Sequence, residues 1–414
     1  MKYKNMRKWV ALAIAFLLFI PFMNINSKHV STVSNSGNIL YVGGNGEGNY
    51  SSIQDAINDA KDGCIIYVYP KEYKESIVVD KSISLIGIIE DGEKPVINGS
   101  MNEEEKVVII EANNCTFKNF VVMYGRGIVV KNSTYCFIEN NEVLKAKPRS
   151  DAIKYAALEI RNSHNCEIVN NTVRDSTDIG LSVWQSSFIN VYHNHVYGNK
   201  GNGIEIGDSF LCTISFNNIT DNLDGIEGYW MENCTISFNN VYYNSQYGMS
   251  IGISRNLSIS NNSIHHHDYA GILLTDSSYC TISGNDIYEN SWGVYVSGNM
   301  RIPWTKNKEN VVIRNNIHNN GIGIFLEVGR KNSFIMNNLI DNGKNAGFLQ
   351  SFWLWDRNPL FPLHNTWLSN YWSNWKVPLP KPITGHLWFV TNLFLLDLPW
   401  FYFDWRPALQ PYEI

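Results

Sequence analysis

The heptapeptide "CTISFNN" at Cys212–Asn218 returns unchanged at Cys234–Asn240, and a near copy, "CTISGND", stands at Cys280–Asp286. Each copy alternates apolar and polar side chains over a few positions and is rich in β-branched residues, which is typical of a short strand. Each strand runs into Asn, a residue that tolerates the left-handed backbone of a sharp bend. The stretch therefore predicts a strand and a corner that recur along the chain.

The length of the repeat is nearly constant. The pattern Asn-x-(Val/Ile) recurs at spacings of 30, 23, 23, 22, 23, 23, 30 and 23 residues, and a Gly-apolar-x-apolar pattern, as in "GIEIGDS" and "GVYVSGN", keeps the same period. A fixed period of this length is typical of solenoid proteins. The first marker falls at these positions: Asn141, Asn171, Asn194, Asn217, Asn239, Asn262, Asn285, Asn315 and Asn338.

Short strands at this period predict one turn of a parallel β-helix, because about 23 residues leave no room for the helix of a βαβ crossover. Each turn is expected to pair with the next at about 4.8 Å. The predicted fold is all-β: a single-stranded right-handed parallel β-helix of about ten coils over residues 39–350.

The cysteines support this fold. Six of the seven stand in Cys-x-apolar strands at the same place in the repeat, so we expect them to point inward as small hydrophobic side chains. Cysteines on adjacent coils would be close enough for oxidation, whereas an inward line does not suit a tetrahedral zinc site. Cys64 is expected to lie outside the register. The six are Cys115, Cys136, Cys166, Cys212, Cys234 and Cys280.

The two ends differ from the repeat. Residues 1–26 combine basic residues with an apolar run of 15 residues, Trp9–Met23, which indicates a signal peptide or an uncleaved membrane anchor. Either alternative exports the protein to the cell surface or the medium. "YSSIQDAINDAK" predicts a short capping helix with Ser51 or Ser52 as N-cap. Residues 351–414, rich in Trp and Pro, predict an aromatic cap, with a membrane-surface contact or a partner patch as the alternatives.

The segment "GEGNYSSIQDAINDAKDGCIIYVYPKEYKESIVVDKSISLIG" resembles the first segment of pectin-lyase-like secreted β-helix proteins. The Asn-rich coils with "NYWSNW" and "FDWRPALQPYEI" resemble the NosD-type group of surface proteins, notably archaeal ones, from Ile39 to the C-terminus. The resemblance implies copper-site maturation in some members and carbohydrate binding or processing in others. No catalytic motif of the polysaccharide-degrading relatives, such as clustered Asp pairs with Gly-His-Gly, occurs in the chain. An enzyme of this group would be a glycoside hydrolase or a polysaccharide lyase.

The candidate site lies on outward positions of the glycine-marked strands. Glu205 and Glu227 fall on adjacent coils, and carboxylates beside aromatic rings are what glycosidic chemistry uses. The alternatives are a calcium site, since Ca²⁺ takes oxygen ligands, a non-catalytic structural or adhesion surface, and plain solvated acids. The predicted catalytic residues are Glu205, Glu227, Asp208 and Asp224, and the predicted substrate-binding residues are Trp184, Tyr229, Trp230, Tyr247, Asp178 and Asp268.

The histidine run, two basic loops and the net charge indicate which ligands and partners to expect. "HHHD" at His265–Asp268 is a weak copper motif, because consecutive residues splay and His267 falls on a corner position, so no metal ligands are predicted. Two basic loops, Leu144–Ala156 and Ser297–Asn310, break the period, as insertions at binding faces of solenoids do. A net charge of −5 gives no general attraction to nucleic acid. The expected partner is a polysaccharide or surface glycan, with membrane association through the N-terminal segment.

Overall fold

The computed structural model describes residues 39–101, 106–147, 155–298, 307–353, 364–390 and 395–414. The predicted export segment, residues 1–26, lies outside these ranges, as does Trp304 of the second basic loop. The described chain is an all-β, right-handed parallel solenoid, as the repeat predicts. In the described ranges no helix is both long enough and apolar enough to cross a bilayer.

Every complete turn contributes one strand to each of three parallel ladders, here called faces 1, 2 and 3, and face 1 has β1 before the first turn and β41 after the last in addition. Face 1 consists of β1 (Ile39–Val42), β2 (Ile65–Val68), β5 (Ser84–Gly87), β8 (Thr116–Lys118), β11 (Phe137–Glu139), β14 (Glu167–Val169), β17 (Asn190–Tyr192), β20 (Thr213–Ser215), β23 (Thr235–Ser237), β26 (Ser258–Ser260), β29 (Thr281–Ser283), β32 (Val311–Ile313), β35 (Ser333–Ile335), β38 (Thr366–Leu368) and β41 (Leu395–Asp404). Face 2 consists of β3 (Glu72–Tyr73), β6 (Val96–Asn98), β9 (Val121–Met123), β12 (Glu142–Leu144), β15 (Thr172–Arg174), β18 (His195–Tyr197), β21 (Asn218–Thr220), β24 (Asn240–Tyr242), β27 (Ser263–His265), β30 (Asp286–Tyr288), β33 (Asn316–His318), β36 (Asn338–Ile340) and β39 (Tyr371–Trp372). Face 3 consists of β4 (Ile77–Val79), β7 (Val108–Ile110), β10 (Ile128–Lys131), β13 (Ala156–Arg161), β16 (Ile179–Trp184), β19 (Ile204–Gly207), β22 (Ile226–Tyr229), β25 (Met249–Gly252), β28 (Ala270–Thr275), β31 (Trp292–Ser297), β34 (Ile322–Glu327), β37 (Lys344–Trp353) and β40 (Lys381–Val390).

The solenoid has about thirteen turns rather than ten. The first three turns carry no Asn marker, and in the third of them the corner before β9 is filled by Phe120, which stacks on Phe117 at 4.6 Å. The boundary at residue 350 is also wrong. Strands β38, β39 and β40 extend all three faces beyond it, and their Trp-rich sequence hides the period.

The corner between faces 1 and 2 holds a column of buried amides, here called the Asn ladder. The backbone N–H of each member donates to Oδ1 of the next, as between Asn217 and Asn239 at 3.0 Å. The ladder passes through Asn337, not Asn338, which lies within β36. Its members are Asn141, Asn171, Asn194, Asn217, Asn239, Asn262, Asn285, Asn315, Asn337 and Asn370.

Two further inward columns fill the other corners. A second Asn ladder, between faces 2 and 3, includes His267 as predicted, since Asn244 donates to it at 3.2 Å and it donates to Asn290 at 3.1 Å. A serine column between faces 3 and 1 was not anticipated, although Ser-x-x-Cys recurs in the sequence. It includes Ser133 and Ser163, linked at 3.2 Å.

All seven cysteines are free and buried. They share one inward row beside face 1, and Cys64 belongs to it, contrary to the prediction. Residues 65, 84 and 116 pair across β2, β5 and β8, so Cys64 is in register with Ile83 and Cys115. An apolar residue between the two cysteines conceals that register in the sequence. Burial raises the pKa of Cys280 to about 11, as expected of a thiol that packs as a hydrophobic side chain.

The ends are closed by different structures. Helix α1, Ile53–Asp59, caps the first turns, and its N-cap Ser52 accepts a hydrogen bond from the N–H of Asp55 at 3.3 Å. At the other end the Asn ladder stops at the fully buried carboxylate of Asp404, which accepts hydrogen bonds from the N–H of Asn370 at 2.8 Å and from Nε1 of Trp372 at 3.1 Å.

The predicted aromatic cap is only partly a cap. Trp367 and Trp372 are buried on the last turn. Strand β41 pairs antiparallel with β40 and leaves large apolar side chains at the surface. These exposed residues are Leu395, Leu396, Leu398, Trp400, Phe401 and Phe403.

Candidate functional site

Face 3 carries an outward row, here called the central row, whose members pair directly from turn to turn. The order of these positions is the one that the glycine-marked pattern predicts. The central row consists of Glu159, Ser182, Glu205, Glu227, Ser250, Leu273, Tyr295 and Phe325.

Glu205 and Glu227 form the acidic centre of this row. They pair directly between β19 and β22. The amide of Asn202 bridges them, since its Nδ2 donates to Oε2 of Glu205 at 3.2 Å and also to Oε2 of Glu227. Glu205 is 5% exposed, whereas Glu227 is half-buried. One amide thus holds two carboxylates together, with one of them better able to reach a ligand.

Aromatic rings lie in the next outward row of face 3, two residues further along the strands than this pair. Trp184 precedes Gly207 by one turn, and a Cβ atom at Gly207 would overlap the indole. Tyr229 precedes Gly252 in the same way, where a Cβ atom would come within 2.7 Å of the phenol ring. The rings therefore lie flat over glycines, which have no side chain to lift them. Flat rings at a surface are the platforms on which sugar rings stack.

Asp224, Tyr247 and Asp178 support the row from one side. Asp224 is buried, and its Oδ1 accepts a hydrogen bond from the N–H of Tyr247 at 3.1 Å. Asp178 accepts one from the N–H of Tyr155 at 3.1 Å. Each carboxylate thus holds the backbone of a neighbouring turn, which favours a supporting role over an acid–base role.

The remaining predicted residues lie on corners. Asp208 and Trp230 follow β19 and β22 at the rim towards face 1, both with positive φ, and Trp230 is 54% exposed. Asp268 is exposed at the opposite rim, before β28. The structure therefore gathers Glu205, Glu227 and the two flat rings on one surface, and leaves Asp268 further along the solenoid.

An aromatic patch extends the same face and was not predicted as part of the site. Trp292 contacts Tyr295 with ring centres 4.2 Å apart and Phe325 at 5.1 Å. The hydroxyl of Tyr295 donates to Glu327, and burial together with this carboxylate raises the pKa of Tyr295. The sequence places Tyr295 and Phe325 on the central row, but proximity to Trp292 depends on where that side chain points.

Two of the three consecutive histidines meet, since Nδ1 of His265 lies 2.7 Å from Nδ1 of His266, but the third does not join them. His267 turns inward, and its Nε2 donates to the carbonyl of Val241 at 3.1 Å, whereas His266 pairs with Glu289 at 2.6 Å on the outside. Within the described ranges no group of three or more His, Cys, Asp or Glu residues could hold a metal ion. Calcium binding stays a prediction of the sequence.

Comparison with known proteins places the chain among β-solenoids. A family model described as a right-handed β-helix region matches residues 96–229 and 209–354, which is more than half of the chain. A cell surface glycoprotein of Methanothermus fervidus is 36% identical over 100 residues, which are 23% of this chain and 16% of that protein. The match thus covers only a small part of that glycoprotein.

Solved structures share the fold at low identity. The A-module of mannuronan C-5 epimerase AlgE6 from Azotobacter vinelandii superposes with a TM-score of 0.59 at 17% identity, over 76% of this chain and 91% of the module. The Dettilon tailspike protein gives a TM-score of 0.54 at 15% identity, over 86% of this chain and 75% of that one. At these identities the likeness establishes the architecture alone.

Proposed function

Because the chain belongs to the right-handed β-helix family, we propose that it is a cell-surface protein whose face 3 binds a polysaccharide or surface glycan. The observation that carries the proposal is the Glu205–Glu227 pair, bridged by Asn202, with the flat rings of Trp184 and Tyr229 in the row beside it. Resemblance to a surface glycoprotein and to polysaccharide-related solenoids supports the same setting.

The arrangement suits an extended sugar chain. Rings of Trp184 and Tyr229 offer apolar faces two turns apart, so they fit two separate sugar units of one polymer. The carboxylates of the neighbouring central row would accept hydrogen bonds from sugar hydroxyls, and hydrogen bonds to charged groups contribute about 1.5–3 kcal/mol each. Binding would therefore depend on the rings and the acids together.

The same pair supplies the two carboxyl groups that cleavage of a glycosidic bond requires. Glycoside cleavage uses one carboxyl group to protonate the leaving oxygen and a second as nucleophile or base. Glu205, nearly buried, suits the acid, and Glu227, which reaches the surface, suits the nucleophile or base. We place binding first, because face 3 is an open surface and the bridging amide of Asn202 occupies one oxygen of each carboxylate.

A glycan-array screen of the purified chain tests the proposal. The variant Glu205→Gln/Glu227→Gln should weaken binding of any retained polysaccharide about tenfold or more, since two charged acceptors are lost. Its matched control is Asp221→Asn/Asp341→Asn, which removes two exposed carboxylates from the corner between faces 2 and 3, where both residues have positive φ. Turnover is followed by the release of new chain ends.

Each outcome is decisive. Loss of binding in the site variant alone supports a glycan site on face 3, and loss of turnover with retained binding would identify an enzyme. Equal weakening in both variants would attribute the effect to overall charge. Absence of any binding by the folded chain would reject the proposal and leave a structural role for the solenoid.

A further inference from the structure

A cleft opens at the rim between faces 3 and 1, beyond the acidic pair. Its volume is about 390 Å³, and it is lined by Arg255, Asp276, Ser278, Tyr279 and Lys308 among others. Lys308 lies near the C-terminal end of the second basic loop, Ser297–Asn310. None of these residues takes part in the site around Glu205 and Glu227.

Two cations converge on one ring in this cleft. Arg255, Ser278 and Lys308 pair on three successive turns, so the two cationic residues stand two turns apart. The guanidinium carbon of Arg255 is 5.1 Å from the centre of the Tyr279 ring, and Nζ of Lys308 is 5.5 Å from it. Cation–π attraction holds both side chains above the same wall of the cleft.

The charge of the cleft favours an anion. Among its lining residues Asp276 carries the one negative charge, against the two positive charges of Arg255 and Lys308. The two positive charges lie near the same ring and repel each other. An anionic group bound between them would be attracted to both and would offset that repulsion. The whole chain has a net charge of −5, so an acidic polymer would need a local positive site of this kind to bind.

The cleft is also placed to serve the same ligand as the acidic pair. Ile253, in its wall, follows β25 at the corner position that Trp230 occupies one turn earlier. The lining residues thus lie one to three turns beyond Glu227, or roughly 5–14 Å along the axis at the usual strand spacing. A polymer that lies on the flat rings and runs along this rim would meet Tyr279.

We propose that Arg255 and Lys308 form a subsite for the carboxylate or sulfate groups of an acidic polysaccharide, with Tyr279 as its wall. The inference rests on the proposed glycan-binding function and specifies its substrate class. Guanidinium and ammonium groups are the usual partners of such anions. Neutral glycans would lack the group that this cleft recognises.

Binding titrations with two matched polymer pairs test the subsite. Polygalacturonate is compared with its methyl ester, and dextran sulfate with dextran, so that each pair differs in charge alone. We expect the intact chain to bind one charged polymer at least tenfold more tightly than its neutral partner, and added salt to reduce the difference. The pair that shows the difference distinguishes carboxylate from sulfate.

Variants assign the effect to the cleft. Arg255→Gln/Lys308→Gln should abolish the preference for the charged polymer, and Arg255→Lys, which keeps the charge, should retain most of it. The control Lys118→Gln/Lys131→Gln removes the same charge from half-exposed lysines several turns away and should behave like the intact chain. Circular dichroism confirms that every variant is folded.

The results separate the two proposals. Equal binding of charged and neutral polymers, or an unchanged preference in Arg255→Gln/Lys308→Gln, would overturn the subsite and leave the glycan-binding function standing. If Arg255→Gln/Lys308→Gln and the control Lys118→Gln/Lys131→Gln both lose the preference for the charged polymer, the preference comes from the overall charge of the chain, and the subsite is overturned. Binding of none of the four polymers would overturn the subsite, and the array screen would then decide the glycan-binding function separately.

Discussion

At His267 the second Asn ladder changes its residue type but keeps its hydrogen bonds. Nδ1 accepts from the N–H of Asn244 at 3.2 Å, and Nε2 donates to the carbonyl of Val241 at 3.1 Å. The ring is 3% exposed, and burial lowers its pKa from 6.5 to about 4. Only the neutral ring can accept at one nitrogen and donate at the other, so this residue couples the fold to pH.

The coupling gives a prediction with a definite sign. The folded pKa lies below the unfolded value, so the unfolded chain binds more protons between pH 6.5 and about 4, and the free energy of unfolding falls as the pH drops through that window. The full loss from this residue is on the order of 3 kcal/mol. Denaturant unfolding at pH 7 and pH 4.5 should show a smaller acid loss for His267→Asn, which restores the residue type of the other turns.

The control for this prediction is His193→Asn, an exposed corner histidine outside the ladder. It should lose as much stability on acidification as the unchanged chain does. Equal acid losses for His267→Asn and the unchanged chain would show that other groups govern the acid response.

At the scale of the element, a strand of three residues is too short to be stable alone. The side-chain ladders fix where each strand ends, because they hydrogen-bond the backbone of the corner that follows it. Asn239 accepts from the N–H of Asn217 and donates through Nδ2 to the carbonyl of Ile214 at 2.9 Å. It also donates to Oδ1 of Asn262. One amide thus satisfies backbone groups that would otherwise be buried without partners at the corner.

Asn239→Ala should therefore lower the free energy of unfolding by about 2–4 kcal/mol, because donors and an acceptor on two neighbouring turns lose their partner. Asn240→Ala, one residue later and exposed, should change it by about 0.5 kcal/mol or less. Urea unfolding measured side by side checks both. Similar costs for the two substitutions would mean that the ladder contributes no more than a surface residue.

Strands and corners could be predicted wherever the repeat period is visible in the sequence. The period identifies the strands, the Asn corners and the pairing of Glu205 with Glu227, because register in a solenoid follows from counting residues. The flat position of Trp184 over Gly207 was not predictable, since it depends on a side-chain rotamer on one turn and a missing Cβ on the next. Phe120 stands where later turns have Asn, because packing can fill a corner as hydrogen bonds do.

At the scale of the whole molecule, each turn contacts chiefly its neighbours, so stability is approximately a sum over turns. The identical stretches at Cys212–Asn218 and Cys234–Asn240 allow one complete turn to be excised without altering the local sequence. Such a chain would carry Glu205 opposite Ser250, without Glu227 or Tyr229.

Deletion of residues 213–234 should therefore give a folded solenoid, one turn shorter, with strand-type circular dichroism and cooperative unfolding but no glycan binding on face 3. Deletion of residues 213–223, about half a turn, should not fold, because it moves every later strand to another face. Thermal unfolding and circular dichroism of both proteins check this. If the one-turn deletion is as unfolded as the half-turn deletion, the turns are not independent units.

The Asn ladder described above also gives the molecule an electrical direction. From Asn141 to Asn337 each member donates its backbone N–H, and most also one amide hydrogen, to the Oδ1 atom of the next turn, while another amide hydrogen returns to a carbonyl of the preceding turn. Parallel sheets have small net dipoles, but the Oδ1 atom of each member accepts from the turn before it, so these N–H to Oδ1 bonds share one direction and their dipoles add, as peptide dipoles do in an α-helix. The positive pole falls where Asp404 receives the last amide, so a buried negative charge terminates the column, and the two ends of the solenoid are electrostatically unlike.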